Sequence, residues 1–143
     1  MAVLIVVLGL SGDSIVAGST NAGQTDEALL LAAKSGDSET VKALLANDAT
    51  VNAMQADGTT ALHWAARADA VDVVDLLLHA GASPGLANRY GITALALAAE
   101  NGNAEIVRSL LNFGADPNTS TSSGESVLMV AARTGRVTVL NAL

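Results

Sequence analysis

Apolar residues in this chain recur at helical spacing in short paired bursts. Leu62, Ala65 and Ala66 fall at i, i+3, i+4, and Val74, Leu77 and Leu78 repeat that stripe after a break at Asp69. The pattern predicts a short helix opening at Thr60, whose hydroxyl suits an N-cap, and a second helix from about Val71 to Ala80. Gly81 suits the left-handed end of that helix, and Pro84 prevents its resumption. Asp57-Gly58 reads as a tight turn before the pair, because glycine accepts positive φ. Ser83 to Arg89 then loops out to the next turn.

The same pattern returns every 33 residues. Gly58, Gly91 and Gly124 keep that step, as do Ala32-Ala33, Ala65-Ala66, Ala98-Ala99 and Ala131-Ala132. Leu44-Leu45, Leu77-Leu78 and Leu110-Leu111 follow it too. Asp69 stands in register with Gly36, Gly102 and Gly135, so a left-handed backbone is expected there, which Asp tolerates better than most residues. A period of this length implies stacked supersecondary units, each too small to bury its own stripe. The paired alanines let neighbouring first helices approach closely.

The run Gly58-Thr59-Thr60-Ala61-Leu62-His63-Trp64-Ala65-Ala66 resembles the ankyrin-repeat signature G-x-T-P-L-H-x-A-A, and Leu77-Leu78-His79-Ala80-Gly81-Ala82 resembles its second signature, L-L-x-x-G-A. The third unit is similar, at Gly91-Ile92-Thr93-Ala94-Leu95 and Leu110-Leu111-Asn112-Phe113-Gly114-Ala115. The resemblance covers about 24–143 and implies an all-α ankyrin solenoid of stacked helix-turn-helix units. Its divisions are an atypical first repeat at 24–56, full repeats at 57–89 and 90–122, and a partial fourth at 123–143. Ala61, Ala94 and Val127 stand where the family has Pro, Thr25 stands at the first turn glycine, and Asp48 stands at a cap glycine. The last stacking face, with Leu128, Val130, Val139 and Leu140, is expected to be uncovered, giving either association through this end or a continuing polypeptide whose activity lies elsewhere.

Composition narrows the function. Half the chain is hydrophobic, but it holds one Trp, one Tyr and one Phe, so the core is made of Ala, Leu and Val. A net charge of −7 without a Lys/Arg cluster argues against nucleic acid as a partner. There is no cysteine for a disulfide, thiolate metal site or thiol nucleophile. The apolar run Ala2–Leu10, followed by small and polar residues to Gly23, resembles a secretory signal peptide over 1–22, although no Lys or Arg precedes it. The run is too short for a bilayer span, which needs about 20 apolar residues. Export to a periplasm or the cell exterior is the corresponding expectation, the alternative being a disordered or strand-like leader on a cytoplasmic chain.

No set of residues converges on a nucleophile, base and metal, so the chain reads as non-enzymatic, with no cofactor and no metal. By the resemblance, His63 ties its turn together with the neighbouring Thr. His79 is expected to be exposed at a helix C-terminus. Glu39, Asp72 and Glu105 form a column at the starts of second helices, where carboxylates offset the free N–H groups. The column Leu31, Trp64, Leu97, Val130 is uniformly apolar and reads as packing between units. Columns through Asp57, Tyr90 and Ser123, Ala56, Arg89 and Ser122, and Thr59, Ile92 and Glu125 change character from unit to unit and are expected at exposed turn tips. The columns of Arg67 and Glu100, and of Phe113, vary likewise. Ankyrin-like proteins recognise partners through turn tips and a concave first-helix face. The resemblance therefore implies a protein partner held by Asp57, Thr59, Arg67, Arg89, Tyr90, Ile92, Glu100 and Phe113. The hydroxyl-rich stretch Asn118 to Ser123 reads as a solvated loop.

Overall fold

Eight helices in four antiparallel pairs make up the described part of the chain. The computed structural model describes residues 22–143. The pairs are α1 (Ala22–Ser35) with α2 (Ser38–Ala46), α3 (Ala61–Arg67) with α4 (Val71–His79), α5 (Ala94–Asn101) with α6 (Ala104–Asn112), and α7 (Val127–Arg133) with α8 (Val137–Ala142). The signal-peptide reading of 1–22 lies outside the described residues, apart from Ala22, which opens α1.

The first helices stack on one another, and so do the second helices, giving two layers. Ala33, Ala65, Ala66, Ala98, Ala99 and Ala131 are fully buried where first helices meet. Val73, Val74, Leu77, Ile106, Val107 and Leu110 fill the space between the layers. This is one continuous core threaded through all units, as the 33-residue period requires.

Each pair turns through a left-handed residue. Gly36, Gly102 and Gly135 have φ of 74°, 83° and 69°, and Asp69 has 62°, so an aspartate adopts the glycine conformation at the expected position. Asp48, at a cap glycine position, does the same at 63°. The observed α4 ends at His79, with Ala80 as its cap. Thr93 and Ser126 cap α5 and α7 by accepting the Ala96 and Met129 N–H groups.

Between pairs the chain folds into three short fingers, closed by bridges Met54–Thr60, Ala87–Thr93 and Ser120–Ser126. Successive fingers are joined through the backbone: Arg89 N–H donates to Asp57 O at 2.8 Å and Ser122 N–H to Tyr90 O at 3.0 Å. Gly91 is required by this stacking, because a Cβ there would meet Ser122 N at 2.5 Å.

The first pair departs from the pattern. Thr25 stands at the position of the turn glycine, yet residues 23–26 belong to the 14-residue α1. With Thr25 in place of the turn glycine nothing stops the helix, and the Thr25 hydroxyl donates back to Ala22 O. Asp26 acts across the unit, its carboxylate accepting the Thr50 N–H at 2.7 Å.

His63 is buried within this framework and ties two units together. Its Nδ1 accepts the Thr60 N–H at 3.1 Å and lies 2.8 Å from the Thr60 hydroxyl. With Nδ1 an acceptor, Nε2–H donates to Ile92 O in the next unit at 2.9 Å. The ring is therefore a neutral structural clamp. Burial pushes its pKa below the ordinary 6.5, against the opposing pull of the Ile92 carbonyl and the Asp57 charge.

Two expectations follow from this packing. Ala98→Leu inserts side-chain volume where α5 meets its neighbours and should cost ~1–3 kcal/mol in denaturant unfolding. His63→Ala leaves the Thr60 N–H without its partner and Ile92 O with the Asn88 N–H alone, and should cost about 1–3 kcal/mol at neutral pH. Because the folded ring's pKa is depressed, its contribution is complete above 6.5, declines as pH falls below that value and is lost below the folded pKa. The gap in melting temperature between wild type and His63→Ala should therefore narrow on acidification.

Candidate interaction surface

A groove runs between the second and third fingers and over the exposed sides of α5 and α7. Its volume is about 370 Å³. Ile92, Ala96, Leu97 and Val130 make its apolar floor, and Tyr90 stands at one rim, 54% exposed. Hydroxyls of Thr121, Ser122 and Ser123 line the other finger. Glu100, Glu125 and Arg133 supply the charge. The Arg133 Nε–H donates to Glu125 Oε1 at 2.9 Å, so these two largely satisfy each other, and Glu100 remains the exposed acid of the groove.

The tip geometry leaves side chains available for contact. Tyr90 O accepts both the Ser122 N–H and, at 2.8 Å, the Ser122 hydroxyl, so backbone groups hold the tip while the phenol ring is unconstrained by them. Asn88 Oδ1 accepts the Tyr90 and Ile92 N–H groups and shapes the turn from within.

The predicted residues divide into three groups. Tyr90, Ile92 and Glu100 come together in the groove, with Arg89 exposed beside Tyr90. Asp57, Thr59 and Arg67 belong to the preceding unit. Asp57 is half-buried and accepts the Thr59 N–H at 2.9 Å. Hydrogen bonds from the Thr59 backbone and hydroxyl, helped by the Arg89 charge, hold its carboxyl below the usual range. Thr59 itself is not an exposed tip residue: it is only 8% accessible. The turn folds it back, with its carbonyl accepting the Gln55 N–H and its hydroxyl committed to Asp57. Phe113 lies elsewhere, as the cap residue of α6, with its ring edge-on to His79 at 5.1 Å in the second-helix layer.

The apolar column also splits. Leu97 and Val130 are buried, as packing demands, yet both reach the groove floor. Trp64 is half-buried, its Nε1–H donating to Gln55 Oε1 and the Lys34 ammonium standing 4.7 Å from its ring. Leu31 is 59% exposed and does not pack between units, because no described helix precedes α1. Sequence reasoning missed Glu125 and Arg133 as a pair. Eight residues apart, they match no local helical spacing and meet only because the third finger folds beside α7.

Glu39, Asp72 and Glu105 each lie in the first turn of a second helix. Among the described residues no group of three or more His, Cys, Asp or Glu could hold a metal ion. No described helix is long and apolar enough to cross a membrane.

No curated protein matches the chain. The family model of ankyrin repeats (3 copies) matches residues 6–88 and 80–143. Ankyrin repeats are in general protein–protein interaction modules. The register of the helices, the stacked fingers and this match agree: the chain belongs to the ankyrin-repeat family.

Proposed function

We propose that the protein is a non-enzymatic recognition module that holds a segment of a protein partner in the groove between the second and third fingers. The observation that carries this reading is the groove's composition: an apolar floor, an aromatic rim and one acid not engaged in an ion pair. The segment that fits presents an aliphatic or aromatic side chain to Ile92, Leu97 and Val130 and a Lys or Arg to Glu100. The chain's net charge of −7 favours a cationic partner through long-range attraction. A surface already ordered by its own stacking loses little conformational freedom on binding. Export belongs to the same proposal and rests on the run Ala2–Leu10 and the small residues after it.

One observation favours a second reading, in which the array works stacked against a further helical unit, in a longer polypeptide or another copy. Leu128 is 55% exposed, whereas its counterparts Leu62 and Leu95 are 2% and 1% exposed, each covered by the unit that follows. Gly124 and Gly135 likewise have open space around them, whereas Gly58 and Gly91 meet the next finger and Gly36 meets Ala70. A register-matched unit would cover all three positions.

Peptides selected from a displayed library on the wild-type chain should be rich in apolar residues paired with Lys or Arg. They should bind the Arg89→Ala, Tyr90→Ala double variant at least about tenfold more weakly, as loss of an aromatic anchor does. The melting temperature should hold, since both side chains are exposed and the stacking is backbone-mediated. Peptides that bind the double variant and Glu100→Lys as tightly as wild type would remove the groove from consideration. For the forward face, sedimentation of the wild type should show a mass that rises with concentration, and Leu128→Lys should stay monomeric. A wild type that is monomeric throughout argues against self-stacking.

A further inference from the structure

The junction between the second and third units carries a chemical site of its own. Asn101 closes α5, and its side-chain Nδ2 donates to Ala66 O and Arg67 O, both at 3.0 Å, in the preceding unit. Those carbonyls lie in the last turn of α3, outside its regular i to i−4 bonds: Ala66 O is shared with the Asp69 N–H at 3.2 Å, and Arg67 O takes the Asn101 amide. Asn101 thus satisfies a neighbour's helix terminus. Its register counterparts Ser35, Ala68 and Thr134 make no such inter-unit bond among the hydrogen bonds of the described residues.

Gly102 follows, and Asn101-Gly102 is the chain's one Asn-Gly pair. Asparagine before glycine is chemically labile. The backbone nitrogen of the following residue can attack the side-chain carbonyl carbon, and glycine has no side chain to hinder ring closure. We propose that Asn101-Gly102 is a latched deamidation site: folding holds it unreactive, opening of this junction releases it, and its reaction loosens the junction irreversibly.

The reaction needs only water. Gly102 N loses its proton and bonds to Asn101 Cγ, the Cγ–Nδ2 bond breaks and ammonia leaves, forming a five-membered imide. Water then opens the imide at either carbonyl, giving aspartate or, with the chain rerouted through Cγ, isoaspartate. The fold blocks the first step at both atoms. The Gly102 N–H is engaged by Ala98 O at 3.0 Å and Ala99 O at 3.2 Å, and the Asn101 amide is engaged by α3. Once formed, a carboxylate at 101 cannot donate and instead faces two carbonyl oxygens. Next to it, Asn103 Nδ2 donates to Asp69 Oδ1 at 2.8 Å, so the new charge also enters a junction that already holds an acid.

The test follows amide loss at position 101 by peptide mass spectrometry on the full chain, in mildly alkaline buffer with and without denaturing urea. Asparagines followed by other residues, such as Asn47, Asn88 and Asn112, serve as internal controls. Loss confined to Asn101, and at least about tenfold slower without urea, is the expected result, since only the locally opened state reacts. Equal rates in both conditions, or no loss in urea, overturn the proposal. Its second half is read from variants. Asn101→Asp should melt below Asn101→Ala, which removes the bonds without adding charge, and both below wild type. An Asn101→Asp chain as stable as wild type overturns the claim that the product loosens the junction.

Discussion

No helix pair in this chain can cover its own apolar stripe, and everything else follows from that shortage. Each unit offers one stripe to the unit before it and one to the unit after it. The buried alanines along α3 and α5 let first helices come close enough for the stripes to meet. Larger residues would hold the layers apart, and smaller contact would leave the leucines and valines wet. The array is therefore stable only as an array, and its two ends differ from its middle. Leu31 and Leu128 are exposed because each lacks, among the described residues, the neighbour that buries its counterparts.

Polar contacts divide a second task among them. Apolar stripes can slide, but hydrogen bonds between units fix their register. Every described junction carries some: Asn52 with Ser83, His63 with Ile92, Asn101 with the end of α3, Asn103 with Asp69, and finger backbone with finger backbone. Most link a side chain of one unit to the backbone of another. With these bonds in place, no buried side-chain nitrogen or oxygen lacks a partner among the described residues. The same bonds concentrate chemical sensitivity at the junctions, because protonating His63 or altering the Asn101 amide removes a clamp rather than a surface group.

The parts of the fold legible in the sequence are those that packing imposes on every unit. The alanine pairs, the leucine pairs and the left-handed Asp69 repeat because each copy meets the same neighbours. What escaped notice depends on neighbours that differ. Thr25 permits α1 to run on through the turn position, an effect of a missing stop rather than a present signal. Thr59 varies along its column and so resembles a free tip, yet its hydroxyl is committed to Asp57. Phe113 varies too, but its ring lies against His79 in the other layer. The groove was half legible: Tyr90, Ile92 and Glu100 stood out by changing character, whereas Leu97 and Val130 were hidden by serving the core and the groove floor at once.

That double service explains how one scaffold can carry recognition without weakening itself. At the fingers the stacking bonds belong to the backbone, between Asp57 O and Arg89 N–H and between Tyr90 O and Ser122 N–H, and these exist whatever side chains stand there. Arg89 and Tyr90 are thus released from structural duty, and substitution at the tips alters what the surface presents without altering how it is held. Residues such as Ile92 sit at the boundary of this freedom: the carbonyl secures His63 while the side chain faces the groove. On the proposed reading, recognition belongs to side chains at positions whose main chain is already committed to stacking, and its specificity can change over a core that does not.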